Sequence, residues 1–452
     1  MKILNYNNES HFLEEEPFEF VLKNVEEPCL YREIYPYDSI PKLPFNHRHV
    51  NMNFPKNIWI TDTTFRDGQQ SREPYTVKQI SDIYDMMHEL DGGSGIIKQT
   101  EFFLYSKNDR EALEECLSKG YKFPEITTWI RALKKDFALV KDIGIKETGI
   151  LVSCSDYHIF KKMNMNRDQA FNHYTSVISD VLEAGLIPRC HFEDVTRADF
   201  YGFVVPLISK FVSLATEGNI PIKIRLCDTL GLGVPYSGAA MPRSVPGLIS
   251  GLSHHCDVKP EQIEWHGHND FYKGVVNATT AWLYGASAVN CSLFGIGERT
   301  GNVPLEAMVM EYASLRGLPE EVNLEVITKL AEYYEKEIGY IIPPMTPFVG
   351  KHFNETRAGI HADGLLKDEE IYNIFDTQKL LNRPVNVCIN QHSGLAGLTY
   401  WYNRQYSTHI EKNDPIIEFL NKFVTKEYEN GRQTAISNCE LAEQVEIYNK
   451  TK

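Results

Sequence analysis

None of the nine cysteines is paired in a CxxC spacing, which removes the zinc-ribbon and thioredoxin-type signatures. Several (Cys154, Cys190, Cys227 and Cys291) sit inside apolar runs, where reduced, buried thiols of a cytoplasmic protein are the expected state. The chain does not open on a basic and apolar signal pattern. No run reaches about 18 apolar residues, and Lys210 interrupts the best of them. Positive charge is also short. There are 46 Lys and Arg against 61 Asp and Glu, a formal charge of −15. That balance argues against a nucleic-acid or membrane surface, though it leaves room for one local basic pocket. There is no low-complexity segment, and no GxGxxG follows the first strand candidate. What is present is 452 residues, 42% hydrophobic and 12% aromatic, a globular composition with ample core.

Residues 1–55 are rich in Glu, Asn, Tyr and Pro without clear periodicity, and are expected to be an irregular leader packed on a barrel surface. From Ile58 onward, short apolar runs alternate with amphipathic ones. Strand candidates are 58–65, 96–104, 125–131, 147–154, 187–195, 222–229, 263–270 and 286–294. Helical patterns lie between them, for example 76–90, 108–119, 167–184 and 271–284. Strand–helix alternation implies a parallel sheet. Eight such units over roughly 250 residues imply an α/β fold of the (β/α)8 barrel type, placed at 56–318. An open doubly wound sheet is the alternative. A helical pattern follows the last strand at 303–338, and residues 319–452 are expected to form a smaller, mainly helical C-terminal subdomain, with breaks at Pro343, Pro344 and Pro347 and a further helical pattern at 413–427.

Polar residues gather near the carboxyl ends of these strands, where barrels build their sites: Asp67, Arg131, Glu193, Thr229, His266 and Asn290. His266 and His268, at i and i+2 on a strand, point to one face. With Asp67 they make a plausible divalent-metal set, suited to Mn²⁺, Co²⁺, Zn²⁺ or Fe²⁺ over Ca²⁺. The competing reading is a pair of hydrogen-bonded strand histidines near an unrelated Asp. Arg66 could polarise a carbonyl or grip a carboxylate, or could simply pair with Asp67 or Glu101. Gly295–Asn302 is a glycine-rich loop after the eighth strand, able to close over substrate and to bring Asn302 to the metal, or to be a plain turn. Glu193 and Asp194 end the fifth strand, as proton-handling groups or as ion-pair partners of Arg197. His361 and Tyr372 could form a proton relay if they fold over a barrel mouth. Each alone is more often structural.

In combination these motifs resemble one family of barrel metalloenzymes, which includes the isopropylmalate, homocitrate and citramalate synthases. The stretch Asp62–Gly68 (DTTFRDG) is similar to its DTTxRDG signature, and His266–Asp270 (HGHND) to its second metal motif. Ser153–His158 (SCSDYH), Phe192–Asp199 (FEDVTRAD), Gly297–Asn302 (GERTGN) and Gly359–Gly364 (GIHADG) resemble its fourth-strand, fifth-strand, loop and subdomain motifs, in the right order over roughly 58–375. The sequence RDGQQ, the long leader and the lack of a large regulatory domain make the Re-type, citrate-forming branch of anaerobic bacteria the most similar part of that family.

The resemblance implies Asp67, His266 and His268 as metal ligands, with Asn302 in or near the shell and Mn²⁺ the first choice (Co²⁺, Mg²⁺ or Zn²⁺ open). It implies a 2-oxo acid chelating that metal and Thr229 holding the substrate carboxylate. Arg66 would stabilise charge on the keto oxygen, and Glu193, His361 and Tyr372 would relay protons. The last two would come from the partner in a homodimer. The implied reaction is condensation of acetyl-CoA with oxaloacetate and thioester hydrolysis to citrate and CoA. The alternatives are another oxo acid (homocitrate or isopropylmalate synthesis), a lyase or carboxyltransferase on the same barrel, or a scaffold without activity. A dicarboxylic oxo acid needs a second cation, for which Arg131 is favoured over Arg197 and Lys273. The chain departs from the family pattern at Gln69, where Glu is usual, at Ala362, and at Phe271-Tyr272-Lys273 after HGHND.

Overall fold

The computed structural model describes residues 4–6, 11, 13–15, 19–131 and 133–451, and separates into two compact units, Met1–Val322 and Asn323–Lys452. The division falls four residues beyond the boundary expected from sequence.

In the first unit eight parallel strands close into a barrel. They are β1 (Trp59–Asp62), β2 (Ile97–Phe102), β3 (Glu125–Ile130), β4 (Glu147–Ser153), β5 (Ile187–Glu193), β6 (Lys223–Asp228), β7 (Ile263–Gly267) and β8 (Ala288–Cys291). Each lies inside its expected segment. β8 closes the ring on β1 through Ala288 opposite Trp59 and Asn290 opposite Thr61. The crossover helices are α1 (Val77–Asp91), α2 (Lys107–Ser118), α3 (Lys134–Asp142), α4 (Arg167–Glu183), α5 (Val205–Gly218), α6 (Val245–Cys256), α7 (Gly274–Tyr284) and α8 (Leu305–Arg316). Local chemistry starts and stops them. Thr76 and Gln79 form a capping box at α1, and Asn166 and Gln169 form another at α4. Ile80, Ile83, Tyr84, Met87 and Leu90 recur at helical spacing and are buried, which fixes the face α1 turns to the barrel. The helical segment Phe200–Gly218, which Lys210 interrupts, is long and apolar enough by composition to cross a membrane, and just over half of its most apolar stretch is buried inside the protein.

Residues 19–55 contain no long element and are tied along the barrel by backbone groups. Lys23 N donates to Gly202 O (2.8 Å), Tyr157 Oη to Leu30 O (2.7 Å) and Asn53 N to Leu283 O (3.0 Å). Leu4–Tyr6 and Leu13–Glu15 pair as a short antiparallel ladder, which the irregular-leader expectation did not include.

The interior of the barrel is charged. Alternate positions on the strands carry Gln99 and Glu101 (β2), Glu147 (β4), Arg189 and His191 (β5), Lys223 and Arg225 (β6), and Glu264 (β7). Among these only Lys223 is more than slightly exposed. Arg225 reaches across the barrel to Glu101 (3.2 Å to each oxygen) and sideways to Glu264 (2.7 Å). Arg189 pairs with Glu147 and lies 3.6 Å from Glu101 and 3.5 Å from Glu264. Lys223 sits 2.6 Å from Glu147. Gly149 makes room: a Cβ there would meet His191 Nε2 at 2.6 Å. Burial alone would protonate these acids, but the arginines outweigh it, and Glu264 is held at about 2.

The second unit holds α9 (Glu325–Tyr333), α10 (Gly359–Lys367), α11 (Thr377–Leu381), α12 (Gly394–Tyr406), α13 (Pro415–Glu429) and α14 (Asn438–Thr451). Leu398, Trp401, Ile417, Leu420 and Leu441 lie at its core.

Removing one member of a buried ion pair strands the other. Arg225→Met is therefore expected to cost about 3–5 kcal/mol of stability, measured by urea unfolding. The pH sign follows from the lowered acid: the folded-state value of Glu264 is below its ordinary one. Its contribution is present above pH 4.5 and is lost as pH falls from 4.5 toward about 2. A stability curve flat over that range would refute the charged interior.

Candidate metal centre and active site

The helical turn Thr64–Gly68 leaves the end of β1 and sets the geometry. Buried Asp62 accepts from Thr64 N (3.1 Å) and Thr100 Oγ1 (2.7 Å), which folds the backbone sharply after the strand. Arg66 and Asp67 then emerge side by side at the barrel mouth, both nearly buried. Arg66 Nε lies 2.7 Å from Glu101 Oε2 and Nη1 lies 2.9 Å from Asp67 Oδ1, so both partners weighed from sequence are realised at once.

At the end of β7, His266 Nε2 lies 3.7 Å from Asp67 Oδ2 and 3.2 Å from His268 Nε2. Asn290 on β8 donates to Thr61 Oγ1 (2.9 Å) through its amide nitrogen, so its Oδ1 is turned to His266 Nδ1 at 2.7 Å. The Nδ1 proton is thereby assigned, and the lone pair of His266 is left on Nε2, facing Asp67 and His268. The carboxylate and the two imidazoles offer three ligand atoms within 4.8 Å of one another, all from buried residues. The loop after β8 brings a fourth group. His268 and Asn302 form an antiparallel bridge, and Asn302 Nδ2 donates to Ile296 O (3.2 Å). Gly301 makes the loop possible, with φ +92° and room for no Cβ, which would lie 2.1 Å from Gly295 O. Arg299 ties the loop down through Asp270 (2.8 Å) and the Thr229 carbonyl.

These residues fit a divalent cation. Asp67 Oδ2 and Asn302 Oδ1 are buried acceptors without a hydrogen bond, an arrangement that costs free energy unless a cation meets it. Two imidazole nitrogens 3.2 Å apart match adjacent ligands at about 2.1 Å from a shared ion. Charge is set correctly as well. Burial favours the neutral form of Asp67, but the adjacent Arg66 guanidinium outweighs it and holds the carboxyl well below its usual value. Burial pushes His266 down to about 3, keeping it neutral. An anionic carboxylate beside neutral imidazoles is the protonation state that binds metal.

The other sequence-derived site residues are distributed around this centre. Thr229 follows β6, and its Oγ1 accepts from Asp194 N (2.8 Å). Glu193 is engaged by Ser153, His158 and Lys162 and not by Arg197, which binds Asp194 instead (2.8 Å). Arg131 is 53% exposed, paired with Asp136 (3.1 Å) and stacked over Tyr105. It is held by that rim and not by the Asp67 set. Lys273 folds back on the Phe271 carbonyl (3.2 Å). In the second unit the rings of His361 and Tyr372 lie 4.4 Å apart, and Thr356 Oγ1 is 3.0 Å from His361 Nδ1, so these two are brought together. Gln69 explains one departure: its amide donates to Asp109 (3.3 Å) while its oxygen accepts from Tyr75 N (3.2 Å). A glutamate could only accept and would face Asp109 with like charge.

Sequence reading missed the charged floor under Arg66 and the roles of His158 and Lys162. The first had a signal, charged residues at i and i+2 on consecutive strands. The second had only a spacing of four on a short turn.

Asn290→Ala should weaken Mn²⁺ binding about 10–100-fold by freeing the His266 ring. Calorimetric titration of chelator-treated protein measures this, and unchanged affinity would remove Asn290 from the site.

Residues 57–333 match the HMGL-like family model. The chain is 58% identical over 428 residues to the citrate (Re)-synthase of Clostridium kluyveri, covering 94% of each. To the citrate (Re)-synthase of Syntrophus aciditrophicus it is 52% identical over 433 residues, covering 95% of this chain and 69% of that one. It is 36% identical over 431 residues to the 2-phosphinomethylmalate synthase of Streptomyces hygroscopicus, covering 94% and 97%. The crystal structure of Bacillus subtilis HMG-CoA lyase aligns with a TM-score of 0.51 at 18% identity, over 65% of this chain and 97% of that one, which speaks to the fold alone. With the barrel matched from end to end and high identity maintained over nearly the whole chain, the protein belongs to the HMGL-like family.

Proposed function

We propose that the protein is an acyl-CoA condensing transferase that joins acetyl-CoA to oxaloacetate and releases citrate and CoA. The observation that carries this is the intact Asp67, His266, His268 and Arg66 set in a chain 58% identical over 428 residues to a citrate (Re)-synthase. Homocitrate or isopropylmalate synthesis is the second reading, since weaker relatives carry those activities in their names.

A divalent cation bound by Asp67, His266 and His268, with Asn302 beside it, would polarise the keto group of the oxo acid. Mn²⁺ suits this donor set. The chain's own residues do the rest. Arg66 is held between Glu101 and Asp67, aimed where negative charge grows on the keto oxygen. Thr229 spends its acceptor on Asp194 N, which leaves its own proton to donate to the substrate carboxylate. The thioester methyl is a very weak acid, so proton handling must be positioned. Glu193, with His361 and Tyr372 from the partner subunit of a homodimer, serves that relay. Arg131 is half exposed and bound only at its rim, so it can turn from Asp136 to the second carboxylate of oxaloacetate. Nine free thiols suit a reducing cytoplasm.

A free-thiol assay tests the reading. Protein with Mn²⁺ and acetyl-CoA is offered oxaloacetate, 2-oxoglutarate, 2-oxoisovalerate and pyruvate in turn. CoA release with oxaloacetate alone, abolished by chelation, is expected. Preference for another acid would move the assignment to the second reading. Arg131→Ala should raise KM for oxaloacetate about tenfold or more, the value of a charged hydrogen bond. An unchanged KM would give the second carboxylate to another cation.

A further inference from the structure

The ends of β4 and β5 carry a second charged cluster. Asp194 is buried and left-handed (φ +66°), a strained backbone for a residue other than glycine. Three contacts hold it there. Arg197 binds its carboxylate at 2.9 and 2.8 Å, the Ser155 hydroxyl donates to it, and its N–H is fixed on Thr229. The kink sets two successive carboxylates on either side of one imidazole. His158 Nδ1 lies 3.0 Å from Glu193 Oε2, and Nε2 lies 3.7 Å from Asp194 Oδ2. His158 and Lys162 stand four residues apart on the helical turn Tyr157–Lys162 and so share a face. Lys162 Nζ reaches both oxygens of Glu193, at 3.1 and 2.9 Å. The Ser153 hydroxyl also donates to Oε2.

A carboxylate has about four lone-pair sites. On Glu193, Oε2 is met by a hydroxyl, an imidazole and an ammonium, and Oε1 by the same ammonium. Arg197 belongs to Asp194 and lies over the Tyr157 ring, while the Cys154 thiol points at the Glu193 carbonyl. Burial raises the acid, but His158, Ser153 and Lys162 outweigh it and hold it at about 2. This sits awkwardly with a group that must take up and deliver a proton.

We propose that His158 and Lys162 are positioning residues for Glu193. They keep it an oriented carboxylate throughout the reaction, so it serves the relay as a fixed negative partner and not as the proton carrier. The inference rests on Glu193 belonging to the relay of the condensation reaction.

Two readouts test it. The first needs no turnover. Protein labelled with ¹³C-carboxyl glutamate is titrated by infrared spectroscopy, and the Glu193 band is identified by its loss in Glu193→Gln. Glu193 is expected to stay ionised down to pH 4. In Lys162→Met combined with His158→Leu its midpoint should rise by about one pH unit or more, and Lys162→Arg with His158→Asn should restore it. If the double variant fails to fold, Lys162→Met alone, at a half-exposed side chain, gives the same readout. A native midpoint in the ordinary carboxyl range, or one that ignores the variants, overturns the clamp. The second readout is the acid limb of kcat against pH in the CoA-release assay. It should move up with the infrared midpoint in Lys162→Met. A lower kcat with an unmoved limb overturns the positioning role and leaves only structure. Native protein that releases no CoA overturns the proposed function instead, while the infrared titration still decides the clamp.

Discussion

The structure depends on a column of charge enclosed by the barrel. Glu101, Glu147, Glu264 and Asp67 face Arg66, Arg189, Arg225 and Lys223, four acids against four bases. Most barrels fill this space with layers of branched apolar side chains. Ion pairs in that place are poor stabilisers, because desolvation consumes much of their attraction. What they provide is fixed direction. Arg66 is gripped from below by Glu101, itself bound by Arg225, and so presents its remaining donors to Asp67 and to whatever lies above. A guanidinium on an apolar floor would be free to swing toward solvent.

The same arrangement prepares the candidate metal centre. Arg66 keeps Asp67 anionic, burial keeps His266 neutral, and Asn290 decides which nitrogen of His266 carries the proton. None of the three controls is a ligand. Arg66 acts from the same turn as Asp67, and Asn290 acts from β8, which the barrel pairs with the strand carrying His266. The loop that supplies Asn302 is held by a bridge to His268, by the room left at Gly301 and by Arg299 on Asp270. Backbone and charge therefore hold the site ready before any ion or substrate arrives.

A second pattern concerns the cations around the mouth. Arg131, Arg197, Arg299, Lys162 and Lys273 all have partners, but of different kinds. Arg197 and Arg299 brace backbone turns. Lys162 bridges both oxygens of the Glu193 carboxylate. Arg131 combines a half-exposed side chain with a rim acid, Asp136. Local positive charge is thus allotted to separate tasks within a chain of net charge −15. Long-range attraction of anionic substrates is weak in such a chain, and recognition falls to these close contacts.

The sequence by itself determined the barrel. Eight apolar, β-branched runs separated by capped helical patterns leave few other ways to bury their faces, and each observed strand lies inside its segment. It also pointed to the candidate metal set, because Asp67 follows the end of one strand while His266 and His268 share one face of another, and the structure brings the three together. Partners were decided only by tertiary structure. Arg225 finds Glu101 across 124 residues, His158 reaches Glu193 across 35, and Arg197 takes Asp194 where a pairing with Glu193 was equally open. Charged residues at i and i+2 reveal that a strand has a polar face, but nothing local states that this face is the inside of a closed barrel. A side chain's electrostatic partner is set by which strands the closure brings opposite one another, and a linear pattern carries period and polarity but not that opposition.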